Sequence, residues 1–262
     1  MSKSEKCVLE LIRCFLFGNP VNEKLFRNLS VQDWSSIKNF ASLQGVAAIT
    51  FNGIQKSAIR PPKSILIYWL GQAEYIKKSY LRHYNACKNL CGLYSKYGIN
   101  IMVMKGLSLT PYYPSPECRE FGDMDIYTYS KHEEANKVFI DMGVSIEYDD
   151  KHDMFILGSV YVEHHKMFIN NNSKQARLLN KYLEKEGAIQ NCSIHELGFL
   201  KPNANFNAVF LLRHMIEHFA YEGLTIKNIL DWGLFLIKDG SFIDRVKVAE
   251  ILIRSKHMKA FN

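Results

Sequence analysis

Apolar residues in the first hundred positions recur at steps of three and four, the period of one helix face. Val8, Leu11, Ile12, Phe15 and Leu16 mark a helix over 5–17 that stops at Gly18-Asn19-Pro20. Ser30 and Asp33 have the spacing of a capping box opening the next helix, whose apolar face is Trp34, Ile37, Phe40 and Ala41. After Pro61-Pro62 a long stripe runs through Leu66, Leu70, Ala73, Ile76, Tyr80, Tyr84, Cys87, Leu90 and Tyr94, and Gly98 ends it.

The middle of the chain changes period. Ile99–Met104 is a short apolar run between Gly98 and Gly106 and reads as a buried strand. Asp123–Tyr129 reads as a second strand, and 131–142 as a helix with Ala135, Val138, Phe139 and Met142 inward. Val144–Tyr148, Met154–Leu157 and Val160–His165 are further expected strands. From about 173 the pattern is helical again, most clearly over 204–221, 225–238 and 242–256. Helices before and after a mixed core of strands and helix define an α+β class.

Composition narrows this picture little. The 47% hydrophobic and 23% charged fractions are those of an ordinary globular chain of 262 residues. A net charge of +7 favours anionic partners, but the basic residues are scattered and form no polybasic run. The six cysteines include no Cys-x-x-Cys pair, which argues against a zinc ribbon. Cys87 and Cys91 read as helical packing. The opening residues lack the pattern of a cleaved export signal, and no apolar stretch reaches the roughly 18 residues of a membrane span. The expected setting is the cytoplasm, with no membrane partner.

Candidate chemistry concentrates in two stretches. Asp123 and Asp125 are two apart on a strand, so both carboxylates leave the same face while Met124 and Ile126 enter the core. Adjacent carboxylates repel, and a divalent cation between them relieves the repulsion. Gly122, just before them, permits close approach of a ligand or backbone. On a later strand Tyr161, Glu163 and His165 share a face. If that strand lies beside the first, Glu163 joins the two aspartates, and three carboxylates suit a two-magnesium phosphoryl-transfer site.

These residues carry a resemblance. Lys105-Gly106, then Arg119-Glu120-Phe121-Gly122-Asp123-Met124-Asp125, then Tyr161-Val162-Glu163-His164-His165 and Asn228-Ile229-Leu230-Asp231-Trp232 resemble a branch of uncharacterised bacterial nucleotidyltransferase-like proteins. That branch lies within the DNA polymerase β-like nucleotidyltransferase superfamily. The resemblance runs loosely from about Tyr80 to about Trp232. It implies a nucleotidyltransferase core at 97–168, an N-terminal helical region at 1–96 and a C-terminal helical region at 169–262. The implied reaction moves a nucleoside monophosphate from a nucleoside triphosphate to an acceptor, which could be a small molecule, a protein or an RNA. Asp123, Asp125 and Glu163 would hold two Mg2+ ions, or Mn2+. Lys105, Gly106 and Ser108 would meet triphosphate oxygens, with Gly122 close by, and Arg119 would clamp the leaving pyrophosphate. The first turn, Gly106-Leu107-Ser108, departs from the superfamily's Gly-Ser or Gly-Gly.

Each residue also has a plainer role. Lys105 could be a solvated lysine in a turn, and Arg119 an ion pair with Asp123 or Glu120. His165 could orient Glu163 or sit on an edge strand. Asp231 could pair with Arg213 or Lys227, or line an acceptor pocket. Tyr112 and Tyr113, expected to be exposed, could stack on a base or pack their loop. Two rival readings stand beside the transferase. His214-Met215-Ile216-Glu217-His218 places two histidines four apart on a helix, the spacing of a zinc hydrolase, with Glu222 or Asp231 as the next acids. The other rival is a non-catalytic nucleotide-binding module.

Overall fold

Ser2 accepts a hydrogen bond from the Glu5 backbone while Glu5 reaches back to the Ser2 amide, a complete capping box that starts the first helix. The computed structural model describes residues 1–221 and 223–256. They divide into two compact units.

The first unit comprises 1–81, 110–121 and 225–230. It holds α1 (Lys3–Phe17), α2 (Val31–Leu43), α3 (Ala47–Gln55) and the first half of α4 (Lys63–Lys96). Ser30 and Asp33 form the expected capping box of α2. The sequence pattern misses α3 because seven of its nine residues are buried, which leaves no polar face to set a period. Gly53 of α3 lies directly against the Leu11 carbonyl of α1: a Cβ there would meet that oxygen at 2.3 Å. The inward ridge of early α4 is Ile65, Trp69, Ala73 and Ile76 rather than the expected Leu66 and Leu70. Trp69 sets this ridge, being fully buried and donating from its indole nitrogen to the Ala47 carbonyl at 2.9 Å. Tyr112 and Tyr113 are each only 4% exposed, so the expectation of exposed aromatics is corrected: both rings pack inward.

The second unit comprises, among the described residues, 82–109, 122–221, 223–224 and 231–256. Its sheet is built from β1 (Met102–Val103), β2 (Met124–Tyr127), β3 (His152–Leu157), β4 (Val160–His165), β5 (Ser193–Ile194) and β6 (Leu200–Lys201). The strand order is β3-β4-β2-β1-β6-β5. β2 runs parallel to β4 and β1 parallel to β6, while the other pairs are antiparallel. This mixed sheet with helices before and after it is the expected α+β class. β5 and β6, two residues each, are too short to leave an alternating pattern. The expected strand at Val144–Tyr148 is corrected to a single bridge from Glu147 to Met154. Tyr148 is 64% exposed, and Val144 and Ile146 are only half-buried.

One sheet face is closed by α5 (His132–Asp141) and late α4. Phe139 of α5 packs on Phe155 of β3 with ring centroids 4.5 Å apart, and Tyr94 of α4 meets Phe139 edge-on. Beyond the sheet come α6 (Lys174–Glu186), α7 (Ala204–Tyr221), α8 (Ile226–Asp239) and α9 (Arg245–Arg254). All six cysteines are free, and Cys87 and Cys91 pack together inside α4 as expected. Among the described residues no helix is long and apolar enough to cross a membrane.

Candidate active site

The carboxylates come together through sheet register. β3 and β4 form a hairpin in which Leu157 pairs with Val160, so the turn is only Gly158-Ser159. Gly158 has φ +66°, the left-handed conformation that such a turn needs. β4 then lies parallel to β2 with Asp125 opposite Glu163 and Tyr127 opposite His165. Asp123, Asp125, Glu163 and His165 thus leave one face, and Val162 and His164 enter the other. The long sequence gap between the aspartates and Glu163 is bridged by α5 and the hairpin.

Asp125 is the anchor of the group. It is 3% exposed, with Oδ1 at 2.9 Å from Lys105 Nζ and 3.2 Å from His165 Nε2. Burial pushes its carboxyl up, but Lys105 and His165 outweigh burial and hold it well below the usual carboxylate range. Glu163 is lowered chiefly by its hydrogen bond with His165, whose Nε2 lies 3.4 Å from Oε2. Asp123 is exposed, and its carboxyl is raised by desolvation and then by the charges of Glu163 and Asp125. His165 is lowered by burial and raised more by Asp125 and Glu163. It belongs to an interior strand, so the edge-strand reading is corrected.

The remaining candidates fall at different places. Lys105 follows β1 directly and turns at Gly106, whose φ of +54° favours glycine. Ser108 is fully buried, and its hydroxyl has no hydrogen-bond partner among the described residues. A Cβ at Gly122 would meet nothing within 4 Å. Arg119 lies in the first unit, 3% exposed, with Nη1 donating to the Glu120 carbonyl at 3.2 Å. Its guanidinium stands over the Phe121 ring, 5.1 Å from the centroid. Asp231 is buried in α8.

His214 and His218 face each other with their Nε2 atoms 3.0 Å apart, and His214 Nε2 is 3.5 Å from Lys105 Nζ. Glu217 instead pairs with Arg213 at 2.7 Å and lines a cleft together with Asn172 and Ser173. Glu222 lies outside the described residues. Among those described, the histidines and acids that do converge as a possible metal-holding group are His152, Glu163 and His165.

Two residues near the acids, His152 and His83, lie outside the motifs of the sequence, and a third, His214, lies in the His-x-x-Glu-His motif. His152 pairs across the hairpin with His165, a relation that the two-residue turn already fixes. His83 of α4 is 2.8 Å through Nε2 from the Gly122 carbonyl, one residue before Asp123. His214 has both His218 and Lys105 beside its Nε2, at 3.0 and 3.5 Å. The contacts of His83 with Gly122 and of His214 with Lys105 join segments distant in sequence and leave no local signal.

No curated protein matches the chain. A crystal structure of ANT(2")-Ia in complex with adenylyl-2"-tobramycin is similar to it at 9% identity, with a TM-score of 0.46, covering 65% of this chain and 94% of that one. A solution structure of the antibiotic-resistance factor ANT(2'')-Ia is similar at 11% identity and a TM-score of 0.47, covering 68% and 95%. The family model described as "Uncharacterised nucleotidyltransferase" matches residues 30–261, and the chain belongs to that nucleotidyltransferase family.

Proposed function

We propose that this nucleotidyltransferase is metal-dependent, that Asp123, Asp125 and Glu163 are its metal ligands, and that it moves a nucleoside monophosphate from a nucleoside triphosphate to an acceptor oxygen. The observation that carries this reading is the pairing of Asp125 with Glu163 in adjacent parallel strands, with Asp123 on the same face. The donor set fits a hard divalent cation. It is made of carboxylate oxygens, and the Asp123 carboxyl is raised first by desolvation and then by the negative charges of Glu163 and Asp125, which Lys105 only partly offsets. Mg2+ bound there would supply charge stabilisation of the attacking and leaving oxygens.

The chain's own residues divide the work. Asp125 anchors from its buried position, while exposed Asp123 and half-buried Glu163 present oxygens outward. Lys105, at the Gly106 turn, is placed to exchange Asp125 for a phosphate oxygen once that carboxylate's charge is met otherwise. His165 Nε2 stands between the two acids, 3.2 Å from Asp125 Oδ1 and 3.4 Å from Glu163 Oε2.

The test is calorimetric titration of the four common nucleoside triphosphates with Mg2+, on the wild type and on Asp123→Ala/Asp125→Ala. Binding that requires Mg2+ and is lost in the double variant supports the site. Absence of Mg2+-dependent binding by the wild type with all four would overturn it. An acceptor screen with labelled triphosphate, covering small molecules, proteins and RNA, follows the first outcome.

A further inference from the structure

His165 is 2% exposed, and both of its ring nitrogens face acceptors. Nδ1 is 3.3 Å from the Met167 carbonyl, and Nε2 faces Asp125 Oδ1 at 3.2 Å and Glu163 Oε2 at 3.4 Å. An imidazole so placed either carries a proton on both nitrogens or keeps one on Nδ1 and gives its Nε2 lone pair to a cation. The second arrangement, with Nδ1–H on a backbone carbonyl, is the usual support of a metal-bound histidine.

A second imidazole stands across the hairpin. His152 pairs in register with His165, and its Nε2 is 3.7 Å from Glu163 Oε1. Its Nδ1 is buried without a hydrogen-bond partner among the described residues. One ligand atom from each of His152, Glu163 and His165 lies within 4.8 Å of the others. The nitrogens meet different oxygens of Glu163, His165 at 3.4 Å from Oε2 and His152 at 3.7 Å from Oε1, so a shared ion takes both oxygens or a turn of the carboxylate; each separation is near the edge of a coordination tetrahedron. With bonds of about 2.0–2.1 Å that edge is about 3.3–3.4 Å. All three donors stand on two paired strands, so little movement would close the site.

We propose that His152, Glu163 and His165 bind a first-row transition ion of the Mn2+ to Zn2+ class through two imidazole nitrogens and carboxylate oxygen. Imidazole suits these ions, whereas Mg2+ prefers oxygen alone. Three protein donors leave positions open for water or a phosphate oxygen. The inference rests on the reading above only through Glu163, which the two sites share.

The experiment uses the untagged full chain after chelator treatment, with no nucleotide present. Co2+ and Mg2+ are titrated by calorimetry, and Mn2+-loaded protein is examined by pulsed electron paramagnetic resonance. Expected are affinity for Co2+ at least about 100-fold above that for Mg2+, nitrogen-14 coupling to the bound Mn2+, and at least about a tenfold loss of Co2+ affinity in His152→Ala. Equal affinity for the two ions, Mn2+ without nitrogen coupling, or a folded His152→Ala that binds Co2+ like the wild type would each overturn the site. If circular dichroism shows His152→Ala to be unfolded, the resonance measurement on the wild type decides. Because no nucleotide is present, failure here is distinct from failure of the Mg2+-triphosphate titration.

Discussion

Asp125 and Glu163 are direct partners in the parallel pair of β2 and β4. Neighbouring strands lie about 4.8 Å apart, so this pairing sets two carboxylates side by side. A register slip of one residue would send Glu163 into the core and bring out Val162 or His164. Burial of Val162 and His164 therefore holds the acid pair in place.

Glu163→Gln keeps the shape of the side chain and removes its charge. The expected result is a loss of at least about tenfold in Mg2+-dependent triphosphate affinity, with the thermal midpoint near that of the wild type. Paired calorimetric titrations check it, and wild-type affinity in the variant would count against the ligand role.

Lys105→Met leaves the Asp125 carboxylate buried with the His165 imidazole beside it. Removing one partner of a buried pair is costly, and the expected destabilisation is about 3 kcal/mol. A cation that binds only the folded state adds stability by mass action. Millimolar Mg2+ should therefore recover more stability in the variant than it adds to the wild type. Urea unfolding with and without MgCl2 measures both effects, and a variant that Mg2+ does not rescue would contradict a cation site at Asp125.

Glu186 at the end of α6 is 4% exposed and takes bonds from Lys247 of α9, Asn203 and Asn205. Burial pushes its carboxyl up, and the bonds, led by Lys247, outweigh burial and leave it lowered. A lowered folded value means that the unfolded chain binds the proton first. The contribution is full above the unfolded value of about 4.3 and is lost as pH falls through the folded one. Glu186→Gln should lose about 1–2 kcal/mol at pH 7, since Lys247 is partly exposed and screened. It should also show a flatter fall in stability below about pH 4. Chemical denaturation at pH 7 and pH 3 tests this, and an equal gap between the two proteins at both values would refute it.

Gly53→Ala places a methyl group on the Leu11 backbone, which cannot swing aside as a flexible side chain could. The two helices must separate, at an expected cost of about 2–3 kcal/mol. Gly71→Ala is the control, because a Cβ there meets nothing within 4 Å on an exposed helical turn. Thermal melts of the two variants should move in opposite directions, since alanine favours helix over glycine by about 1 kcal/mol.

Much of the local structure is legible in the sequence because it rests on short-range causes. The Ser30–Asp33 capping box, the stripe of late α4 and the alternation in Val160–His165 all act within a few residues. The shared face of Asp123 and Asp125 follows from strand geometry alone, and the Gly158-Ser159 turn fixes His152 opposite His165. Where nearly every position is buried, as in α3, the period vanishes. Where burial is missing, as at 144–148, an apolar alternation does not make a strand.

The sequence by itself determined the class of fold, the acids at Asp123 and Asp125, and the face shared by Glu163 and His165. Tertiary structure alone decided that β4 lies beside β2 in parallel, that Lys105 closes on Asp125, and that His165 sits between Asp125 and Glu163. It also decided that His214 comes within 3.5 Å of Lys105. The physical reason is range. Periodicity and turn chemistry are properties of neighbours along the chain, whereas strand order and the pairing of buried charges depend on which distant surfaces exclude water together.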